Sequence, residues 1–598
     1  MKEVVDYISP ESCSTLPGLF LERVARSPEK TAYTYYDKNV QQWIDITWAK
    51  MQHMVARWRF ALQHENLQPK DRVGVMLANS PHWVAYEQAA LSLGLSVVPL
   101  YVNDRPENIG YILRDTSTKI LLCPGDSYYS HLASELEQVP SLQRIITLDD
   151  CRYQKNKPQL ACASTWLPPD SQILPKFTPE IEKIATIVYT SGTTGPPKGV
   201  MLSHTNILEN CYNGLQCMDI LPSDRFLSFL PLSHMLERTA GYYLPMMAGS
   251  SVAYCRSIVD LAEDLATVKP TVLVAVPRIF EKIYSGIQTK IASEPDIKQK
   301  LFHTAVECGW KSFLLSQGRG SWSSILLAKP LLDLLVGSKV RARLGNRLRV
   351  VITGGAPLSE NISRFFIGLG LPLYQGYGLT ETSPIVSVNR QDDNRPDGVG
   401  RPLPGVGVKI GENNELLVKG TCVMLGYWNN EQATAAAIDE NGWLYTGDKA
   451  ELSNGHIRIT GRLKEILVLS NGEKVAPTDM ELAISIDPLF ETTMVVGEGR
   501  PYLTLLCVLN RHLWEELANK SGLSPAEESL KTPETKKIIL NRIEKLLVNF
   551  PGYAFIKDVN LSLSPWTVED GLLTPTLKVK RKVVEKRMER EIATMYQT

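Results

Sequence analysis

The sequence predicts an α/β protein of at least two domains, with parallel, helix-covered sheets in a large N-terminal part and a smaller α+β unit at the C-terminus. Three observations carry this. At 598 residues the chain is too long for one hydrophobic core. Continuous apolar runs alternate with helical patterns from Arg72 to Thr353, as strands buried on both faces require. Past residue 400 the texture changes to short runs that read as antiparallel strands.

Taken in order, Arg72–Leu77 (RVGVML) reads as a strand that precedes a helix near His82–Leu93. Ser96–Leu100 and Lys119–Cys123 read as strands around a helix at Pro106–Asp115. Pro158–Pro179 holds five prolines and reads as a linker between subdomains. The apolar run Ile184–Val188 is a buried strand, and Phe226–Leu230, Ser251–Cys255, Thr271–Val276 and Leu348–Thr353 are four more, each with a helical pattern after it. The longest apolar stretch, Thr239–Tyr254, is broken by Gly241, Pro245 and Gly249; it is too short to span a bilayer and reads as core. Gly405–Ile410, Glu415–Val418 and His456–Ile459 are the short antiparallel strands. After Arg462 the chain runs through strands at Met494–Val496 and Leu503–Val508 to a basic helix near Lys580–Ile592. The boundary falls at Gly461–Lys464, which gives domains 1–461 and 462–598.

Sixty-four basic and sixty-four acidic residues cancel, so nothing in the charge balance predicts nucleic-acid binding. The ten cysteines form no C-x-x-C pair and no Cys/His cluster, which points away from a metal centre or disulfide framework and toward reduced thiols in the cytoplasm. The N-terminus, MKEVVDYISPESCS, lacks the apolar core of a signal peptide. No transmembrane segment is expected, and the composition leaves room for peripheral contact with the cytosolic face of a membrane.

Tyr189–Gly199 reads YTSGTTGPPKG directly behind a buried strand. Glycines let the backbone approach an anion, hydroxyls donate hydrogen bonds, and Lys198 supplies a mobile positive charge. This is a phosphate-handling loop but not a Walker A loop, since Lys198 is followed by Gly199. Gly376–Pro384 reads GYGLTETSP: Tyr377 offers a flat ring for a purine, and Glu381 offers a hard carboxylate suited to Mg²⁺. In YTGD (Tyr445–Asp448), Asp448 is either a turn residue or an acceptor for both hydroxyls of a ribose, and Arg462 in ITGRLKE adds a donor. His234 in PLSHMLER follows a strand, where α/β sheets place ligands, and Lys578 stands in PTLKVKRK near the C-terminus.

In this order these motifs, with GGAPL (Gly354–Leu358) and GRLKEILVLSNGEKVAP, resemble the adenylate-forming superfamily of acyl-CoA synthetases, luciferases and adenylation domains over nearly the whole chain. LPLSHMLERT, VAVPRIFEKIY and ITGGAPLS resemble the long-chain fatty acyl-CoA synthetase branch. The resemblance implies a large domain with a small β-barrel-like subdomain and a mobile C-terminal domain. It implies a fatty acid, ATP and CoA as substrates and Mg²⁺ as cofactor, with an acyl-adenylate formed first and a thioester second.

Thr190, Ser191, Gly192, Thr193, Thr194, Gly195 and Lys198 would then cradle the β- and γ-phosphates, and Thr190 and Glu381 would hold Mg²⁺. Gly355, Ala356, Pro357 and Tyr377 would frame adenine, with Gly376 and Thr380 beside them. Asp448 and Arg462 would hold the ribose. Lys578 resembles the lysine that bridges the acyl carboxylate and α-phosphate, and His234 the residue between the acyl carboxylate and the CoA entrance. Lys464 resembles a hinge whose rotation carries Lys578 away and brings Gly472–Lys474 to the pantetheine tunnel. Met235–Tyr243 and the helix after Ala356 are the expected acyl-pocket walls, and Leu236 stands where some long-chain members carry an aromatic gate.

The motifs do not separate CoA from an acyl-carrier protein as acceptor, since both end in phosphopantetheine. They leave chain length and subunit number open. A catalytically silent scaffold would have lost the lysine or the metal carboxylate; Lys578 and Glu381 are both present.

Overall fold

The computed structural model describes residues 4–149, 159–169, 184–190, 196–463, 465–548, 550–574 and 578–597. Two large sheets form the N-terminal part. In the first, of nine strands, Leu373–Gly378, Val350–Thr353, Val272–Ala275, Arg225–Ser228, Ser251–Tyr254 and Thr31–Asp37 lie side by side and parallel. In the second, of eight, Ile184–Thr190, Ser96–Pro99, Arg72–Val75, Ile120–Cys123, Arg144–Thr147 and Leu160–Cys162 are parallel. The central strands of both are almost wholly buried, which is why they appear in the sequence as unbroken apolar runs. Both edges of the nine-stranded sheet turn antiparallel, as does the edge of the eight-stranded sheet formed by Lys198–Ser203 and Gly426–Tyr427.

Three local readings change. The stretch expected as a linker at 158–179 contributes, in its described part, the edge strand Leu160–Cys162 and the helical turn Ala163–Trp166. Trp166 anchors that turn by donating its indole N–H to Glu65 at 2.8 Å. The strand at Ile184 runs on to Thr190 and pairs with Lys198–Ser203, with Thr190 opposite Lys198. The two strands flank the segment expected to handle phosphate, and Ser191–Gly195 within it lie outside the described residues. The basic helix expected over Lys580–Ile592 is two short helices, Arg581–Arg587 and Glu589–Met595, that break at Met588.

The small β subdomain is a four-stranded antiparallel sheet of Gly407–Ile410, Glu415–Lys419, Leu444–Ser453 and His456–Arg462. From Leu467 onward a separate core forms around the three strands Phe490–Val496, Leu503–Leu509 and Ile556–Ser562, covered by Pro477–Ser485, Arg511–Lys520 and Pro533–Leu546. The nine described cysteines form no disulfide. Among the described residues no helix is long and apolar enough to cross a membrane.

One buried ion pair locks the two large sheets together. Arg238 is fully enclosed, pairs with the enclosed Glu87 and donates to Thr186 Oγ1 at 2.8 Å. Thr186 belongs to the strand Ile184–Thr190, and Arg238 closes the one-turn helix Met235–Arg238 that His234 caps. Removing either partner would strand a buried charge, at a cost of about 3–5 kcal/mol. Arg238 of PLSHMLER thus ties the His234 turn to the strand Ile184–Thr190.

Candidate active site

A cavity of about 2280 Å³ lies where the two large sheets, the antiparallel subdomain and the C-terminal core meet. Antiparallel pairing sets its most ordered group. Asp448 and Arg462 stand opposite each other in register on neighbouring strands, and Arg462 Nε donates to Asp448 Oδ1 at 3.0 Å. The second oxygen of Asp448 accepts the Tyr377 hydroxyl at 2.6 Å. Tyr377 reaches it because the strand Leu373–Gly378 continues through GYG. Burial, and then the Asp448 carboxylate, hold the Tyr377 hydroxyl protonated well above the usual phenol range.

Lys578 enters from the C-terminal segment. Its N–H donates to Thr574 Oγ1 at 3.0 Å, and Thr574 N–H donates back to the Lys578 carbonyl at 2.8 Å. Desolvation, then Arg462, lower its ammonium to about 8, while Asp448 and Glu465 oppose the shift. His234 feels Lys578 from the other side. Burial, then the Lys578 charge, depress its imidazole to about 4, so the ring is neutral at physiological pH. Its Nδ1 accepts the Leu236 N–H at 3.2 Å, which leaves the proton on Nε2.

Glu381 sits in the turn Thr380–Thr382, and its Oε1 accepts the Tyr427 hydroxyl at 2.9 Å. Lys198 Nζ lies over the Tyr427 ring, 4.9 Å from its centroid, a cation–π contact. Tyr427 gets there because Gly426–Tyr427 adds an antiparallel edge to Lys198–Ser203. Sequence reasoning missed Tyr427 and also Glu465, although Glu465 lies inside the ITGRLKE segment. The Lys198-to-Glu381 link through one tyrosine has no local signature.

Thr190, Gly376, Thr380 and the Gly355–Pro357 loop all line the cavity, and Gly355 holds a φ of +82° that a side chain would strain. Gly472 and Lys474 do not: they lie exposed on the hairpin of Leu467–Val468 and Lys474–Val475. Lys464 is outside the described residues. The apolar end is lined by Met235, Leu236, Ala240 and Leu244, with Met218 and Ile220. Glu360 and Asn361, at the start of the helix Glu360–Gly368, also line the cavity. Tyr242 and Tyr243 do not. The π-turn Thr239–Tyr243 aims them into the core, where their rings stack at 4.3 Å and the Tyr242 hydroxyl accepts from Gln88.

Residues 20–428 match a family model described as AMP-binding enzyme, and residues 464–598 match one described as AMP-binding enzyme C-terminal domain. The chain is 31% identical over 577 residues to the long-chain-fatty-acid–CoA ligase FadD15 of Mycobacterium bovis, covering 94% of each protein. It is 30% identical over 566 residues to the peroxisomal long chain acyl-CoA synthetase 6 of Arabidopsis thaliana, covering 90% of this chain and 79% of that one. In three dimensions it superimposes on the anthranilate CoA ligase AuaEII, solved with anthranoyl-AMP, with a TM-score of 0.74 at 18% identity and 99% coverage of both chains; that likeness concerns the fold.

Proposed function

The chain belongs to the AMP-binding enzyme family and is an ATP-dependent acid–thiol ligase; from that premise we propose that its substrates are a long-chain fatty acid and CoA. The carboxylate attacks the α-phosphate of ATP, a P–O bond forms and pyrophosphate leaves. The CoA thiolate then attacks the acyl carbonyl and AMP departs. Hydroxide is a poor leaving group from a carboxylate, whereas AMP carries its charge on phosphate oxygens. The protein's task is thus to stabilise charge on phosphoryl oxygens with fixed donors and cations.

The observation that carries the reading is the convergence of the Asp448–Arg462 pair, Lys578 and neutral His234 in one cavity that also has an apolar wall. Asp448, already aligned by Tyr377 and Arg462, accepts the ribose hydroxyls, and Gly355–Pro357 with Tyr377 frames the adenine. Thr190 and Lys198, with residues 191–195 between them in sequence, hold the β- and γ-phosphates. Lys578 places its ammonium on the oxygens that gain charge as the α-phosphorus becomes five-coordinate, a contribution larger in the transition state than in the ground state. His234 donates from Nε2 to orient the carboxylate and serves no base function, being neutral and held through Nδ1.

Mg²⁺ fits the residues present. Among the described residues no three His, Cys, Asp or Glu side chains converge, so a cage built from protein alone is not the mode. Glu381 and Thr190 are oxygen donors in the same cavity, which suits an ion held largely through substrate phosphates. Bound there, it would neutralise the β- and γ-phosphates.

The division into domains 1–461 and 462–598 is part of the proposal. Rotation near Lys464 withdraws Lys578 after adenylation and brings the exposed Gly472–Lys474 turn to the thiol entrance. The test is pyrophosphate exchange across a panel of fatty acids, followed by the same panel with CoA or holo acyl-carrier protein and product mass as readout. Exchange with long-chain acids and mass of acyl-CoA are expected. Product on the carrier alone would establish the acyl-carrier ligase instead, and no exchange with any fatty acid would remove the substrate class.

A further inference from the structure

Far from any role in the chemistry above, residues 324–343 wind as four consecutive helical segments, Ser324–Ala328, Lys329–Leu332, Asp333–Gly337 and Ser338–Arg343. Together they make a rod about 30 Å long. Its inner side is ordinary: Leu332 and Val336 are buried in the core beneath the nine-stranded sheet. The outer side is not. Leu327, Leu331 and Leu334 are 75%, 60% and 66% exposed, Leu335 follows, and Trp322 just before the rod is 63% exposed. The four leucines fall at i, i+4, i+7 and i+8, a single stripe along one face. A solvent-facing apolar stripe of that kind is what a soluble surface ordinarily avoids.

Charge decides what covers it. The whole chain is neutral, yet residues 311–347 hold seven Lys and Arg against one carboxylate. That carboxylate, Asp333, is already paired with Arg341 at 2.7 Å. Lys329, Lys339, Arg343 and Arg347 are exposed on the rod or just beyond it. A second copy of this chain seated on the same face would bring the excess positive charge against itself, which disfavours a symmetric dimer. Leucine and tryptophan within a basic border match an interfacial helix, whose apolar face enters the acyl boundary while cations meet anionic headgroups.

We propose that the Ser324–Arg343 face docks this protein on an anionic lipid surface. Leu327, Leu331, Leu334 and Trp322 enter the headgroup boundary, and the exposed cations contact lipid phosphates. This surface stands apart from the catalytic cavity, so the inference does not depend on the reaction proposed above.

The experiment is flotation of the full-length protein with vesicles of phosphatidylcholine alone or mixed with phosphatidylglycerol, at low and physiological salt. Wild type should float with the mixed vesicles, and weakly or not at all with phosphatidylcholine. Leu331→Ser with Leu334→Ser should lower the partition coefficient by about tenfold per leucine, with pyrophosphate exchange in solution unchanged. Should that variant fail to fold, Lys339→Glu with Arg343→Glu decides instead. These exposed positions should cost about fivefold or more per site on anionic vesicles. The proposal is overturned if wild type stays soluble with both vesicle types, or if the folded leucine variant floats like wild type. It is equally overturned if light scattering shows wild type self-associated, the leucine variant monomeric, and vesicle binding the same in both, because the stripe would then be a contact between copies.

Discussion

Replacing Lys578 by alanine separates the two half-reactions. In this structure Lys578 lines the cavity while remaining exposed overall, and desolvation, then Arg462, lower its ammonium to about 8 against the opposing Asp448 and Glu465. At pH 7 the protonated form exceeds the neutral by about ten to one. The cation is therefore present when phosphoryl transfer needs it and is lost as pH rises through 8. Adenylation by wild type should accordingly fall about tenfold per pH unit on the alkaline side. Removing one preorganised donor from a developing oxyanion costs about 10²–10³ in rate, so Lys578→Ala should depress pyrophosphate exchange by at least that much at pH 7 and abolish the alkaline limb. Attack of CoA on preformed acyl-AMP, measured in a single turnover, should stay within a few-fold of wild type. Lys578→Arg keeps a charge at every pH but presents a planar fork; it should lose the limb and still adenylate poorly. Equal loss of both half-reactions in Lys578→Ala, or an alkaline limb that persists in it, would refute the role given to this lysine.

Asp448→Asn removes the charge that raises Lys578, so its alkaline limb should move below that of wild type, and AMP should bind about ten- to a hundredfold more weakly by calorimetry, as for a lost charged hydrogen bond. Tyr427→Phe removes the hydroxyl held by Glu381; the Mg²⁺ concentration for half-maximal exchange should shift while the saturated rate changes little. Leu236→Phe narrows the apolar end beside Gly354 and Gly355 and should shift the preferred acid toward shorter chains, with about fourfold discrimination per methylene no longer accommodated. Lys464→Pro should slow thioester formation more than exchange, and equal loss in both would argue against rotation at that position.

How much of this could be read from the chain alone depends on the range of the interaction that made it. Buried parallel strands such as Arg72–Val75 and Val272–Ala275 must be apolar on both faces, so their sequences announce them. The helix Pro106–Asp115 announces itself through proline at its first position. Leu160–Cys162 does not, because an edge strand of three residues has too few positions to alternate and sits among prolines. Gly376–Gly378 carries no strand signal for a related reason: glycine has little strand preference, and pairing with Ile385–Val388 overrides it. The rod at 324–343 is apolar on both sides, and no periodicity tells a helix sunk in a core from one with a face left over.

The same scale governs the site. Asp448 and Arg462 are fourteen residues apart on neighbouring strands, so hairpin register alone joins them and two adjoining motifs suffice to suggest it. Glu381 and Tyr427 are separated by forty-six residues and meet only because Gly426–Tyr427 crosses to the edge of the other large sheet. His234 and Lys578 come from distant parts of the chain, and the effect of Lys578 on the His234 imidazole exists only when the C-terminal segment is folded over the cavity. Residue types in the motifs therefore announce which chemistry is available. Whether the nucleophile's carboxylate meets a cation is decided by where the last quarter of the chain sits, and that is a property of the packed protein that no motif contains.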